Sequence, residues 1–229
     1  TWVCKCDCGK TITTPTTGAL RSGNTKSCGC ISKSLIYGVG INDWEYPISS
    51  RSNGKTDICI LYKTWRSMFA RSYSKIYHDR KPTYKGCSVD KRWHRFSVFR
   101  SWMLDQDWEG KQLDKDIIIP GNRVYGPETC CFVTAELNCL FRKKINRKSN
   151  LPMGICIKNG MYRVAFGKIN KYVGSFETLD EAIHAYNVKK SERLRLHAIL
   201  QTDERIYNGL IRHADLLDEE IKREQEPLK

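Results

Sequence analysis

Five cysteines within the first 30 residues constrain the fold of this chain more than any other feature. They read C-K-C-D-C-G-K, then a loop from Lys10 to Lys26, then S-C-G-C. Two tight cysteine clusters joined by a loop can supply four thiolates to one tetrahedral zinc ion. The segment holds few apolar residues, so metal binding rather than a core would supply its folding energy. The sequence therefore predicts a small zinc ribbon over residues 1–33, with structural Zn²⁺ as its cofactor.

One zinc ion needs only four of these five cysteines. The C-x-C-G and C-G-C pairs are near mirror images, which favours Cys6, Cys8, Cys28 and Cys30 as ligands, with Cys4 as the alternate. Reduced cysteines in an unstructured leader, or a disulfide pair, are the other interpretations. No signal peptide precedes the cluster, so disulfides have weak support and a cytoplasmic location is expected. Six further cysteines lack paired spacing and are expected to be small core residues. They are Cys59, Cys87, Cys130, Cys131, Cys139 and Cys156.

The charge of the chain predicts an anionic partner. Lys and Arg number 39 against 25 Asp and Glu, a formal net charge of +14. The simplest partner for such a surplus is double-stranded DNA, with RNA as the alternative. No apolar run approaches the roughly 18 residues of a spanning helix, so no membrane partner is expected. Six Trp, eleven Tyr and seven Phe are enough to anchor a core, which argues against a disordered chain.

Residues 34–57 are rich in Gly and Ser and predict a linker to a central domain. Apolar residues then recur at helical spacing in two stretches, which predicts two helices that share an aromatic core. These residues are Leu61, Trp65, Met68, Phe69 and Tyr73, and then Trp93, Phe96, Phe99, Trp102 and Met103. Between Tyr62 and Leu104, eleven Lys and Arg face only two Asp. The outer faces of these helices are therefore expected to be basic.

A strand, turn, strand and helix follow, at about 113–119, 120–122, 130–133 and 134–138. Asp114 and Asp116 lie on the first strand and Asn138 lies on the helix. A one-metal nuclease finger needs this arrangement, because a carboxylate and an Asn hold the cation against the scissile phosphate beside a general base. Salt bridging or turn capping is the alternative use of the two aspartates.

The cysteine segment and the central domain together resemble phage-encoded HNH or homing endonucleases. The motifs that carry the resemblance are Y-K-G-C-S-V…W-H-R-F, L-D-K-D…G-N-R-V-Y-G-P-E-T-C-C-F-V and E-L-N. The resemblance implies that Asp114 and Asn138 are ligands of Mg²⁺ or Mn²⁺ and that Asn122 positions the loop. It also implies that the protein acts in the cytoplasm of a bacterial host. Where an active finger carries Asp-His, this chain has Asp114-Lys115-Asp116, so His94 would have to supply the base. A site-specific endonuclease and a catalytically inactive DNA-binding regulator or architectural protein both remain open.

Three short alternating strands near 154–157, 162–166 and 171–176 follow, separated by two turn signals. Thr178 and Glu181 then form a capping box for a helix. Alternation turns Tyr162, Val164 and Phe166 toward that helix and Arg163 away from it. The free face of the sheet is expected to carry basic candidates, namely Lys158, Arg163, Lys168 and Lys171.

The run Y-R-V…G-K…Y-V-G-S-F-E-T-L-D-E-A…A-Y is similar to the APETALA/ethylene-response-type DNA-binding domain. In that family the sheet enters the major groove, which implies Arg163, Lys168, Lys171 and Tyr172 as DNA contacts. Lys158 and Arg147 are further basic candidates in the same module. An ordinary basic domain of a sheet and a helix is the alternative.

The sequence as a whole predicts an α+β fold: a zinc ribbon, a central ββα finger with flanking helices, and a three-stranded antiparallel sheet plus a helix. The expected boundaries are 1–33, a linker at 34–57, 58–148, 149–200, and an acidic helical tail at 201–229. The tail could pack on the body, mediate dimerisation or shield the basic surface. No small-molecule substrate is expected, and the oligomeric state stays open.

Overall fold

The computed structural model describes residues 2–6, 11–14, 16–25, 28, 35–52, 54–141, 150–167 and 171–225. The chain divides into two compact units, Thr1–Met103 and Leu104–Lys229. This division differs from the predicted boundaries, because the break falls inside the predicted central domain. The finger, the three-stranded sheet and the tail all belong to the second unit. The fold is α+β with small antiparallel sheets, as the sequence predicts.

The described residues of the first unit form five short strands and four α-helices, in addition to short 3₁₀ turns. Its strands are β1 (Trp2–Lys5), β2 (Thr11–Thr14), β3 (Ser49–Ser52), β4 (Lys55–Ile58) and β5 (Ser88–Val89). Its helices are α1 (Thr17–Arg21), α2 (Ile60–Tyr73), α3 (Lys75–Arg80) and α4 (Phe96–Leu104), the last ending at the boundary between the units. β1 and β2 form one antiparallel hairpin, and β3 and β4 form another. The second hairpin lies inside the predicted linker, which therefore contains regular structure.

Aromatic side chains form the core of the first unit. Trp65, Phe69, Trp93, Phe96 and Phe99 are all almost completely buried, which confirms the predicted stripe as core. The indole N–H of Trp65 donates to the carbonyl oxygen of Trp93 at 2.8 Å. This bond ties α2 to the 3₁₀ turn that precedes α4. The stripe is thus assembled from three elements and not from two helices alone.

The second unit contains six strands and three helices in the described part of the chain. Its strands are β6 (Gln112–Asp114), β7 (Val124–Tyr125), β8 (Cys131–Val133), β9 (Ile155–Lys158), β10 (Met161–Phe166) and β11 (Lys171–Phe176). Its helices are α5 (Ala135–Cys139), α6 (Leu179–Ile199) and α7 (Glu204–Gln225). β6 pairs antiparallel with β8. The larger sheet has the order β11–β10–β9, with β10 in the centre.

The two C-terminal helices complete the core of the finger. Leu194 on α6 and Leu210 on α7 are fully buried in one cluster with Ile117, Val133 and Leu137. The finger is too small to bury these apolar side chains alone, which explains why it shares a unit with the tail. Of the three roles considered for the tail, packing on the body is confirmed.

Of the six cysteines that lack paired spacing in the sequence, three differ from their predicted role. Cys87, Cys130 and Cys131 are buried core residues, as expected, and burial raises the pKa of the Cys130 thiol to about 12. The other three are exposed, namely Cys59, Cys139 and Cys156. Each of these lies at a helix end or on an uncovered strand, which apolar sequence neighbours do not reveal. No helix in the described residues is long and apolar enough to cross a membrane.

Candidate nucleic-acid interface

Among the described residues, the three-stranded sheet is covered on one face, by α6, and is open on the other. Ile155, Val164 and Ala182 are buried between sheet and helix, and Tyr162 and Tyr186 pack against them. The helix begins at the predicted capping box, where the Glu181 amide donates to the Thr178 hydroxyl and the Glu181 carboxylate accepts from the Thr178 amide. α6 is thus fixed against the side of β10 that carries Tyr162 and Val164.

The open face carries the residues that alternate with this buried row. Arg163 lies between Cys156 on β9 and Ser175 on β11, its cross-strand partners. Since cross-strand partners share a face, all three point away from α6, as predicted for Arg163. Val173 bulges out of the ladder, so that Ala165 is paired with Tyr172 and Tyr172 joins the open face.

Arg163 and Tyr172 form a stacked pair at the centre of this face. The guanidinium carbon lies 4.8 Å from the centroid of the Tyr172 ring, within the range of a cation–π contact. The Tyr172 hydroxyl donates to the Ser175 hydroxyl at 3.1 Å. The ring is therefore oriented by its own strand and holds the guanidinium over the open face. The in-plane N–H groups of such a stacked arginine can still form two parallel hydrogen bonds.

Lys158 lies opposite Met161, beside the tight turn at Asn159 and Gly160. Both turn residues have positive φ, 53° and 75°, which confirms the predicted hairpin turn. Lys171 differs from its expected place, because its partner is Phe166, whose ring contacts Tyr186 on the helix side. The bulge at Val173 hides this change of side from simple alternation. Lys168 and Arg147 lie outside the described residues.

The finger holds Asp114 in a structural position. The side chain is buried, and its Oδ1 accepts the backbone N–H groups of Asp116 (2.7 Å) and Ile117 (2.9 Å). Burial raises the pKa of the Asp114 carboxyl, against the lowering effect of these two hydrogen bonds. Asp114 therefore caps the turn that follows β6, which is one of the two uses predicted for it.

Lys115 occupies the position where the resemblance expects a catalytic histidine. It is only 6% exposed. Its ammonium donates to Asp116 Oδ1 at 2.6 Å and to the Asn122 carbonyl oxygen at 2.8 Å. The Asn122 amide donates in turn to the carbonyl oxygens of Lys115 and Val124, both at 2.7 Å. Asn122 thus positions the loop as expected, while Asp116 is held in an ion pair.

The remaining candidates of the finger are also engaged. The Asn138 amide donates to the side-chain oxygen of Gln112 at 2.7 Å, so α5 does lie beside β6. His94 belongs to the first unit, where its Nε2–H donates to the Val89 carbonyl oxygen at 3.1 Å. Sequence reasoning missed His213 of α7, whose Nε2–H donates to the Asp116 carbonyl oxygen at 2.9 Å. The separation of 97 residues left no local signal for this contact.

These contacts do not fit a divalent cation at the centre of the finger. The Lys115 ammonium already neutralises Asp116, and two backbone N–H groups use Asp114 Oδ1. Within the described ranges, no cluster of three or more His, Cys, Asp or Glu side chains could hold a metal ion. We therefore derive no cleavage step through Mg²⁺ or Mn²⁺.

Two of the predicted zinc ligands lie in contact, Cys6 directly after β1 and Cys28 after α1. The backbone N–H of Cys28 donates to Cys6 Sγ at 3.5 Å, across 22 residues. A backbone N–H that donates to a cysteine sulfur stabilises the thiolate form that binds metal ions. Cys4 lies within β1 and is paired with Ile12. Cys8 and Cys30 lie outside the described residues, so the choice among the five cysteines stays a prediction. Thiolate sulfur is a ligand that zinc prefers, so the contact between Cys6 and Cys28 is compatible with the predicted zinc ion, which stays a prediction.

The first unit presents a basic surface on its helices and loops. Six exposed basic side chains form no ion pair with any residue in the described part of the chain. They are Lys63, Arg66, Lys75, Arg80, Lys81 and Lys91. Arg92 and Arg95 differ, because they pair with Asp90 (2.8 Å) and Asp43 (3.4 Å). The Arg92 guanidinium holds the pKa of the Asp90 carboxyl at about 2.

No family model, curated protein or solved structure gives a significant match to this chain. The two resemblances therefore rest on the motifs alone.

Proposed function

We propose that this protein binds double-stranded DNA with sequence preference, through the open face of the β9–β10–β11 sheet. The observation that carries the proposal is the Arg163 guanidinium stacked on Tyr172, on a face that α6 leaves uncovered. An arginine held in this way can donate two hydrogen bonds to the O6 and N7 atoms of guanine. Lys158 on the adjacent strand can contact phosphate.

The electrostatics support the same proposal. The chain carries a net charge of +14, and six exposed cations of the first unit form no ion pair among the described residues that would cancel their field. Unscreened like charges repel one another, and a polyanion relieves that repulsion. A-form RNA is a weaker candidate, because side chains cannot read its deep, narrow major groove.

Within this proposal the finger is a structural element of a non-cleaving regulator or architectural protein. Lys115, Asp114 and Asn138 each form intramolecular contacts that stabilise the loop and the helix. The second candidate is a metal-dependent DNA endonuclease of homing type. The observation that favours it is the placement of Asn138 beside β6, as a ββα finger requires. The proposed place of action is the compartment that holds the DNA, the cytoplasm of a bacterial host.

A nicking assay separates the two candidates. Supercoiled plasmid is incubated with the protein and Mg²⁺ or Mn²⁺, beside Asp114→Ala as a control. We expect no nicking above buffer at protein concentrations that shift the DNA fully. Nicking that the Asp114→Ala substitution abolishes would establish the endonuclease and overturn the non-cleaving role.

A matched pair of variants tests the DNA-binding face. The first step is to select a preferred duplex from a random library with the full chain. Arg163→Ala should then lose about 1–3 kcal/mol of binding to that duplex and discriminate less against a scrambled one. Lys171→Ala removes the same charge from the opposite side of the sheet, so it should weaken both duplexes alike and by less. Equal losses from the two variants would contradict the assignment of the face.

Native cysteines provide a second test that needs no substitution in the interface. Cys156 is exposed on the open face beside Arg163, whereas Cys139 is exposed on α5. Saturating DNA should slow the alkylation of Cys156 and leave the rate at Cys139 unchanged. Unchanged alkylation of Cys156 in the DNA complex would show that DNA binds elsewhere.

A further inference from the structure

The β3–β4 hairpin is a polar ribbon that the core does not explain. Every side chain of the ribbon that the structure describes is exposed. Arg51 is paired with Thr56, and Ser50 with Asp57. At the base, the Cys59 amide donates to the Ile48 carbonyl oxygen at 2.8 Å, and α2 begins at the next residue. An isolated two-stranded hairpin is at best marginally stable in water, so one without core contacts suggests a role outside the fold.

The dimensions of the ribbon match the major groove of DNA. Each strand has four residues, which span about 10 Å from the first Cα to the last at roughly 3.4 Å per residue. The major groove is about 12 Å wide and 8.5 Å deep, and it admits a two-stranded β-ribbon. The ribbon is therefore long enough to reach the floor of the groove. Gly54, with φ of 73°, keeps the tip narrow.

The two faces of the ribbon differ in charge. One face carries Arg51 and Thr56, with Ser49 and Ile58 at the base, and has one positive charge. The other carries Ser50, Lys55 and Asp57, whose two charges offset each other. The first face has no acid, and its side chains are types that hydrogen-bond base edges or contact the thymine methyl group. Lys63 and Arg66 are exposed in the first two turns of α2, directly after the ribbon. They are placed to contact phosphates once the ribbon is docked.

We propose that the β3–β4 hairpin is a second DNA-reading arm, which lies in the major groove with its Arg51 and Thr56 face toward the bases. The proposal rests on the proposed function, since it presumes a DNA-binding chain. It assigns base recognition to the first unit as well as to the sheet of the second unit. The occupant is duplex DNA, because the exposed cations that follow the ribbon, Lys63 and Arg66, form no ion pair within the described ranges.

The test uses the full-length chain and the preferred duplex. Arg51→Ala and Thr56→Ala are compared with Asp57→Asn, which changes the opposite face. We expect Arg51→Ala to raise the Kd on the preferred duplex about tenfold and on a scrambled duplex about threefold or less. Thr56→Ala should also reduce discrimination between the two duplexes. Asp57→Asn should tighten binding to both duplexes equally, because it removes one negative charge. Methylation of guanine N7 should interfere with binding at the guanines that the protein contacts. Fewer guanines should show interference with Arg51→Ala than with the unaltered chain.

A second measurement keeps the inference separable from the proposed function. DNA should protect a T56C thiol from alkylation, with Cys139 as the unprotected reference. If Arg51→Ala and Thr56→Ala bind within twofold of the unaltered chain while Arg163→Ala loses affinity, the arm is refuted and the sheet is retained. If the unaltered chain binds no duplex at all, the proposed function itself fails. Equal affinity for duplex RNA would also overturn the arm, since a ribbon does not fit the A-form groove. Each variant should melt at the same temperature as the unaltered chain, because these side chains contact nothing in the core.

Discussion

Gly209 on α7 lies directly against Ile117 in the loop after β6. A Cβ atom on Gly209 would stand 2.3 Å from the Ile117 carbonyl oxygen. Two side chains of the same helix reinforce this contact: Arg212 donates to the Ile118 carbonyl oxygen at 2.8 Å, and His213 donates to that of Asp116 at 2.9 Å. The C-terminal helix α7 thus contacts the backbone of three consecutive residues in the loop after β6, Asp116 to Ile118.

Replacing Gly209 by Ala should destabilise the second unit by about 1–3 kcal/mol, because the added methyl group forces α7 away from the loop. The gain in helix propensity, about 1 kcal/mol, offsets only part of this cost. The midpoint of urea unfolding measures the change. Asn208→Ala, at the exposed neighbouring position, should have no such cost. A Gly209→Ala protein as stable as the Asn208→Ala protein would contradict the close packing.

Local signals predicted the sheet and its helix well. The capping box at Thr178, the turn at Asn159 and the alternation around Arg163 each depend on residues a few positions apart. The β-bulge at Val173 could not be predicted, because the alternation of apolar and polar residues does not reveal one extra residue in a strand. It moved Lys171 to the helix side.

The finger was harder to predict because its decisive contacts are long-range. A lysine between two aspartates suggests a solvated side chain, yet Lys115 is buried, since Asn122 and Asp116 both accept from it. The closeness of Gly209 to Ile117 joins segments some 90 residues apart. The sequence did not predict the β3–β4 ribbon, because neither of its faces is buried. Its strands therefore lack the alternation of apolar and polar residues that indicates a strand.

Lys115→Ala should lower the free energy of unfolding by about 1–2 kcal/mol, because it leaves the partly buried Asn122 carbonyl without its donor and removes the ion pair of the buried ammonium with Asp116. Lys111→Ala is the matched control. Lys111 also pairs with an aspartate, Asp107, but that aspartate is 81% exposed, and surface pairs contribute at most about 1 kcal/mol. Thermal unfolding of both variants measures the difference. Equal effects would show that burial of Lys115 does not matter to stability.

Stability should fall as the pH drops from 7.5 to 5.5. Burial lowers the pKa of His213 and of His197 below the ordinary value of 6.5. A depressed pKa means that the unfolded chain takes up protons first, so the contribution to stability is present above pH 6.5 and is lost as the pH falls through the folded pKa. The slope can reach about 1.4 kcal/mol per pH unit for each histidine. His213→Gln should flatten the dependence, and a slope unchanged by this substitution would refute the role of His213.

Zinc should be bound at about one equivalent per chain, as elemental analysis of the purified protein would measure. Chelation should unfold the N-terminal hairpin and leave the aromatic core of the first unit intact, since that core contains no cysteine cluster. Cys6→Ser and Cys28→Ser should each lose the metal, because their backbone and sulfur atoms are already in contact. Cys59→Ser, at an exposed site outside the hairpin, should retain it. A metal-free protein with a folded hairpin would exclude the zinc ribbon.

Binding to duplex DNA should depend steeply on salt. If the chain neutralises roughly six or more phosphates, the plot of log K against log [salt] has a slope of about −5 or steeper, because each contact releases a condensed counterion. Lys63→Ala should reduce the magnitude of that slope by about one, since Lys63 is exposed and has no acidic partner among the described residues. Arg163→Ala should weaken binding at every salt concentration with a smaller change in slope, because its contact is to a base rather than to a phosphate. If Arg163→Ala instead changed the slope as much as Lys63→Ala, the Arg163 guanidinium would be a phosphate contact, and sequence preference would have to come from other side chains.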